Sequence, residues 1–481
     1  MQTIIHLTGS YTQKDNIALV VTEIRNLKED VLTTHEIDFI RDFNKEHKKR
    51  LFVFNRLSHR VFVLVVEKER NKYISLENYR EEGAKLQPVI NEHKLNAIVL
   101  ADPENKPAEM LALAEGLVLK NYQFLKYKTR PSEKLNSLNS IYIHSRGVTE
   151  EQVDRLNILV NAVNRCRDMV NEPVAWLNAE RIADEMAKMG KEAGANVEVL
   201  NKKKIETLKM GGLLAVNKGS VDPPTFTIME WKPKKAVNKK PVVLVGKGVV
   251  YDTGGMNLKT GSSMNDMKMD MAGGASASAT LYAVAKSKLN VWVIALIPAT
   301  DNRTNGNAYV NGDIITMHNG STVEVINTDA EGRMILADAL SYAKKYDPEL
   351  VINVATLTGS AMRAIGMYGI AAMQAKAATH YRKLKESGER IYERLVEFPL
   401  WKEYGEELKS GVADIKHMGG ANGGAITAGK FLEHFTDYPF IHLDIAGPAY
   451  LEKPHTFYPE GGTGIPVRLL YDFLLHKSTE K

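Results

Sequence analysis

The chain has 481 residues, of which 44% are hydrophobic and 25% charged, with a formal net charge of +5. This length allows two or three domains at roughly 100–200 residues each, and so mild a positive charge permits nucleic-acid contact without indicating it. One cysteine, Cys166, excludes an internal disulfide and any thiolate metal cluster, no apolar run approaches the ~18–20 residues that span a bilayer, and residues 1–6 lack the start of a secretory signal, so a cytoplasmic protein is expected.

The first elements are short. Runs rich in Val, Ile, Leu and Phe at 16–22, 51–54, 60–66 and 95–100 predict strands, and 107–119 predicts an amphipathic helix. A polar stretch near 128–140 breaks this pattern, which puts a smaller N-terminal α/β domain at 1–145. Val153, Leu156, Leu159, Val160 and Val163 keep helical spacing, so a helix is expected from Thr149 to about Met169, within a connecting segment 146–170. Asn171-Glu172-Pro173 stops it, because proline disfavours helix in the residue before it.

Residues 171–481 form the larger expected domain. Continuous apolar runs at 241–245, 291–298, 350–354 and 440–445 suit strands buried on both faces. Helices are expected between them, at 274–285 and 334–345. The alternation predicts an α/β fold with a central mixed, largely parallel sheet flanked by helices. Ligands of such sheets bind beyond the carboxyl ends of the strands, and the chemically rich segments follow strand ends. Lysine runs such as Lys202-Lys203-Lys204 suit solvated faces.

The first rich segment is 245–255, a glycine-rich loop leaving a buried strand and carrying Lys247 and Asp252. Lys259 follows, then Asp270 at an expected helix start. The second is Asn327-Thr328-Asp329-Ala330-Glu331-Gly332-Arg333, after the strand-like 322–326. Thr328 three residues before Glu331 looks by itself like a helix cap. In combination the segments say more. Asp252, Asp270, Asp329 and Glu331 in one place cannot all ionise without compensation, and two divalent cations balance four carboxylates. Hard oxygen ligands suit Mg, Mn or Zn. A Lys amine beside a cation can lose its proton and join the shell.

Two phosphate-loop patterns fail. Residues 424–430 fit the start of a P-loop, but Phe431 stands where a hydroxyl must reach Mg²⁺, and Gly246-Lys247-Gly248 has Tyr251 in place of the third glycine. His417 and His442 are lone histidines, more often structural than ligating, and Met264, Met267, Met269 and Met271 suit plain core filling.

Taken together, these residues resemble the leucyl aminopeptidase (cytosol aminopeptidase) family. The signature at 327–333 is complete, and 245–255, 267–271, 355–359, 171–173 and 211–216 also match, in order. The resemblance implies a homohexameric metallopeptidase that releases N-terminal amino acids, leucine and other apolar residues above all, from peptides. It implies two Zn²⁺ or Mn²⁺ ions, with Mg²⁺ allowed at the exchangeable site. Lys247, Asp252, Asp270 and Glu331 would hold the tighter ion, and Asp252, Asp329 and Glu331 the exchangeable one. Lys259 and Arg333 match the catalytic cations, with bicarbonate beside Arg333. Met267 and Thr356 match the pocket for the first side chain, and Leu357 and Gly359 match backbone contacts to the peptide. Tyr251 and Thr253 depart from the commoner Phe and Ser without removing a ligand. A DNA-binding regulator and a relative without catalysis are the alternatives. Steeply salt-dependent binding to duplex DNA would mark the first, and the full set of ligand positions argues against the second.

Overall fold

The computed structural model describes residues 3–480. Two compact units emerge, one formed mainly by the chain up to Asn161 and one formed mainly from Ala162 onward.

The first unit holds a six-stranded sheet in the order Ile4–Leu7, Ser140–His144, Ala97–Ala101, Ile17–Val21, Arg60–Val65, Leu51–Asn55. Its neighbours run parallel except the last pair. Thr33 opens the helix Thr34–His47 with a reciprocal cap to Glu36. The helices Lys72–Glu92 and Pro107–Lys120 lie so close that a Cβ on Gly116 would reach the Arg80 carbonyl oxygen. Between them Arg80 is buried against Glu77 at 3.0 Å and Glu115 at 2.7 Å. Lys72–Glu92 carries an internal proline, Pro88, and buries Glu77, Arg80 and Glu82, so its sequence hides its helical face.

The second unit is built on a sheet in the order Leu395–Glu397, Ile370–Ala375, Phe440–Asp444, Leu350–Ala355, Val242–Gly246, Val293–Asn302, Thr225–Trp231, Asn196–Leu200. The four middle strands, from Phe440–Asp444 to Val293–Asn302, run parallel. Antiparallel neighbours flank them on both sides. The middle strands are buried throughout, as continuous apolar runs require. Helix Glu331–Ala343 packs with Val243, Val245, Ile294 and Leu296 on one face. Helix Ala272–Lys286 covers the other, where Gly274 meets Ile297. Its start is small because it must be: a Cβ on Gly273 would lie 2.1 Å from the Val354 carbonyl oxygen.

Two local expectations are corrected. The glycine-rich segment after Gly246 is no open loop; Gly248–Asp252 is a strand beside the far half of Val293–Asn302, with an irregularity between Val249 and Asp252. The apparent cap at Thr328 is not one. Asn327 accepts from the Asp329 N–H at 2.8 Å, while Thr328 donates its hydroxyl to the Gly254 carbonyl at 2.7 Å.

Candidate metal centre

The site lies at the carboxyl ends of the parallel strands. Lys247 follows Val242–Gly246, Asp252 ends Gly248–Asp252, Asn302 ends Val293–Asn302, Thr356 follows Leu350–Ala355, and Asp444 ends Phe440–Asp444. Asp270 comes from the turn Met267–Met271, which leads into helix Ala272–Lys286. Asp329 and Glu331 come from the turn and first residue of helix Glu331–Ala343.

Lys247 joins two of the four carboxylates. Its Nζ lies 2.7 Å from Asp270 and 2.9 Å from Glu331, and donates to the Thr356 carbonyl at 3.0 Å. Gly332 leaves the space for this chain, since a Cβ there would stand 2.4 Å from Lys247 Cε. Lys259 joins the other two, at 2.9 Å from Asp252 and 2.5 Å from Asp329. Asp252 also accepts from the Gly254 N–H and from Asn302 Nδ2, both at 2.8 Å. Asp270 accepts the Thr356 hydroxyl at 2.7 Å.

One oxygen from each of Asp252, Asp329 and Glu331 lies within 4.8 Å of the others. Burial, then the charge of Asp252, raises the Glu331 carboxyl to about 8. Burial, partly countered by Lys247, raises Asp270 to about 6. Asp329 is raised by burial and by Asp252. Burial pulls the amine of Lys247 down, but the facing carboxylates of Asp270, Glu331 and Asp252 outweigh it and hold it above its ordinary value.

These residues fit divalent cations. Glu331 Oε2 is buried with no hydrogen-bond donor among the described residues, and the cluster offers hard oxygens and one amine. The two ammonium groups stand where cations would neutralise the same carboxylates. A buried carboxyl forced toward its neutral form is what positive charge at this point would relieve.

Arg333 lies two residues beyond Glu331 and donates Nη1–H to the His417 carbonyl at 2.7 Å. Its Nε is buried without a partner among the described residues, so an oxyanion can be received there. Burial lowers the guanidinium to about 10. His417 is structural: its Nδ1 accepts from the Ile326 N–H at 3.2 Å and its Nε2–H donates to the Asn327 carbonyl at 2.9 Å. Burial, with Arg333 adding, lowers it to about 4. His442 is buried in the sheet against Asn353 at 2.6 Å.

Thr356 and Met267 flank this centre, Met267 half-buried on the turn that carries Asp270. Leu357 commits its N–H to Asp444 at 3.1 Å, which leaves its carbonyl as the group it can offer. Gly359 is exposed at the start of the helix Gly359–Ile365.

Sequence reasoning missed four supports. Asn302 donates to both Asp252 and the Thr328 carbonyl. Asn257 and Thr328 exchange two hydrogen bonds of 2.8 Å. Tyr309 donates to the Thr328 carbonyl at 2.9 Å. Asp444 holds Leu357 and Thr358. Only Thr328 carried a signal, as part of the 327–333 signature.

Residues 164–471 match the model of the cytosol aminopeptidase family, catalytic domain. A protein of Chloroherpeton thalassium described as a probable cytosol aminopeptidase is 38% identical over 466 residues, 91% of each chain. Another from Chlorobaculum parvum is 48% identical over 331 residues, 68% of this chain and 65% of that protein. The bottromycin maturation enzyme BotP in complex with Mn has a similar structure, with a TM-score of 0.85 and 27% identity over 97% of this chain and 100% of that one. A tomato leucine aminopeptidase variant superposes with a TM-score of 0.85 and 26% identity, over 99% of this chain and 97% of that one.

Proposed function

The chain belongs to the cytosol aminopeptidase family, and we propose that it releases N-terminal amino acids, leucine and other apolar residues preferred, from peptides with the aid of two divalent cations. The observation that carries this reading is the meeting of Asp252, Asp329 and Glu331 within 4.8 Å, beside Asp270 and Lys247. Lys247, Asp252, Asp270 and Glu331 would hold the tighter ion, and Asp252, Asp329 and Glu331 the exchangeable one, as Zn²⁺ or Mn²⁺, or Mg²⁺ at the latter. When bound, the cations supply Lewis-acid polarisation and water activation, and bicarbonate held by Arg333 supplies a base.

The chain's own residues do the rest. Asp252 and Glu331 would hold both ions. Lys247 and the Thr356 hydroxyl hold Asp270 in one orientation. Lys259, partly exposed at the rim, can leave its carboxylates for the oxygen of a scissile carbonyl as negative charge develops there, a role worth about 3–4 kcal/mol for a comparable donor. Arg333 is anchored by the His417 carbonyl, so its Nε keeps one direction. Thr356 and Met267 would border the pocket for the first side chain. The Leu357 carbonyl and Gly359 backbone would hold an extended peptide. A preference for a free N-terminus would follow from the Lewis acid that the exchangeable ion would supply for the substrate's amine beside Asp252, Asp329 and Glu331.

Release of leucine from a leucyl anilide tests this. It should require Mn²⁺ or Zn²⁺, vanish on chelation and return on re-addition. Undiminished turnover by Glu331→Ala would overturn the ligand set. The same reading carries a cytoplasmic location and a homohexamer; light scattering giving a monomer would remove the latter.

A further inference from the structure

The N-terminal unit contains a second cleft, of roughly 230 Å³, that the peptidase reading does not use. Its floor is one row of the sheet: Leu19 pairs with Ala101, and Ala101 with His144. Paired residues point to the same face, so the three side chains line up. Each wall comes from a loop at the carboxyl end of a neighbouring parallel strand. Tyr11 follows Ile4–Leu7, Lys28 and Asp30 follow Ile17–Val21, Asp102 follows Ala97–Ala101, and Arg146 follows Ser140–His144.

The chain topology marks this place. From Ile17–Val21 the chain crosses to Leu51–Asn55 and turns back into Arg60–Val65 on one side, and from Ala97–Ala101 it crosses to Ser140–His144 on the other. The two strands are neighbours whose connections leave in opposite directions. That is the switch point at which open α/β sheets take ligands.

The lining has chemical character. Lys28 and Arg146 are exposed and have no hydrogen bond or ion pair among the described residues. Asp102 does not answer them; its oxygens accept from the N–H groups of Glu104 and Lys106 and from the Ser145 hydroxyl. Asp30 accepts the Tyr11 hydroxyl at 3.1 Å. Tyr11 and His144 meet edge to face, with centroids 4.9 Å apart. His144 donates its Nδ1–H to the Thr8 carbonyl at 3.2 Å.

Two cations without partners, an aromatic wall and one accessible carboxylate in a small polar cleft match a mononucleotide. We propose that this cleft binds one: the phosphate between Lys28 and Arg146, the base against Tyr11, and a hydroxyl or amino donor on Asp30. At roughly 230 Å³ the cleft lies below the ~300–1,000 Å³ of drug-sized sites, so a mononucleotide would project partly from its mouth and a dinucleotide would not fit.

Calorimetric titration of the full-length, metal-loaded protein with AMP, adenosine and inorganic phosphate tests this. AMP should bind once per chain, and more tightly than either part. A Lys28→Ala/Arg146→Ala variant should weaken AMP at least about tenfold, as loss of charge-assisted hydrogen bonds implies, and leave leucyl anilide turnover unchanged. Tyr11→Ala should weaken AMP and leave phosphate as it was. Glu331→Ala should bind AMP as the wild type does; loss there would place the nucleotide at the metal centre and overturn the proposal. AMP binding equal in wild type and the double variant, phosphate as tight as AMP, or no binding in the wild type would each overturn it too.

Discussion

Asn302 donates one amide group, Nδ2, to the Asp252 carboxylate at 2.8 Å and to the Thr328 carbonyl at 3.0 Å. It thereby ties the strand that carries one proposed ligand to the turn that carries two others. Asn302 is fully buried, so removing the donor leaves a carboxylate oxygen short of a partner. Asn302→Ala should cost about 1–3 kcal/mol in urea unfolding of the metal-free protein. It should also weaken the exchangeable cation about tenfold, the equivalent of ~1.4 kcal/mol. Unfolding and metal titrations that both match the wild type would make the tie dispensable.

Gly332 is the second structural constraint. A Cβ there would stand 2.4 Å from Cε and 2.7 Å from Nζ of Lys247. Alanine early in helix Glu331–Ala343 would by propensity gain up to about 1 kcal/mol. Crowding Lys247 away from Asp270 and Glu331 should outweigh that gain by about 1–3 kcal/mol. Gly332→Ala should therefore be less stable and lose its tighter metal, measured by thermal unfolding and metal analysis. A more stable protein with full metal content would refute the crowding argument.

The carboxyls set an unusual pH response in the metal-free protein. Burial and Asp252 raise Glu331 to about 8, whereas an unfolded chain gives up that proton near pH ~4.3. The folded state therefore binds more protons in between. Its contribution to stability is full below the unfolded value and is lost as pH rises through about 8. Asp270, raised to about 6, adds the same sign over the lower part of the window. Melting of the metal-free protein should fall between about pH 5 and pH 8. Stabilisation by Mn²⁺ should grow over that window, because binding needs the ionised carboxylates. Parallel melting curves with and without Mn²⁺ would contradict this.

Much of this architecture was legible because local pattern and tertiary role coincide. The runs at 241–245 and 350–354 are apolar since both of their faces are covered, and burial on both faces leaves no polar alternation to confuse them. Asp329 and Glu331 could be proposed as ligands because the 327–333 signature is contiguous. What could not be read depends on partners distant in sequence. Gly248–Asp252 looks like a flexible loop until Ala299–Asn302 pairs with it. Lys72–Glu92 looks like a charged surface until Glu115 meets Arg80. Asn302 looks like the polar end of a strand until Asp252 and Thr328 stand on either side of it. Thr328 kept the look of a cap because its true acceptor, the Gly254 carbonyl, is 74 residues away.

Lys259 separates ligand chemistry from transition-state chemistry. Its ammonium lies between Asp252 and Asp329, two of the three carboxylates at the proposed exchangeable position. Burial lowers its pKa, but the two charges outweigh that and raise it, so the group stays a cation at neutral pH. As a cation it can stabilise an oxyanion; Lys247, enclosed at the tighter position, would have to give up its proton to an incoming ion, whereas Lys259 is partly exposed and can turn aside with its charge intact. Lys259→Ala should thus keep both metals and bind the exchangeable one no more weakly, since a competing ammonium is gone. Its kcat should fall by about 10²–10³, the loss expected for one oxyanion donor, with KM changed less. Metal analysis beside steady-state kinetics decides the matter. Loss of both metals would move Lys259 into the ligand set, and unchanged kcat would leave it a surface counter-ion.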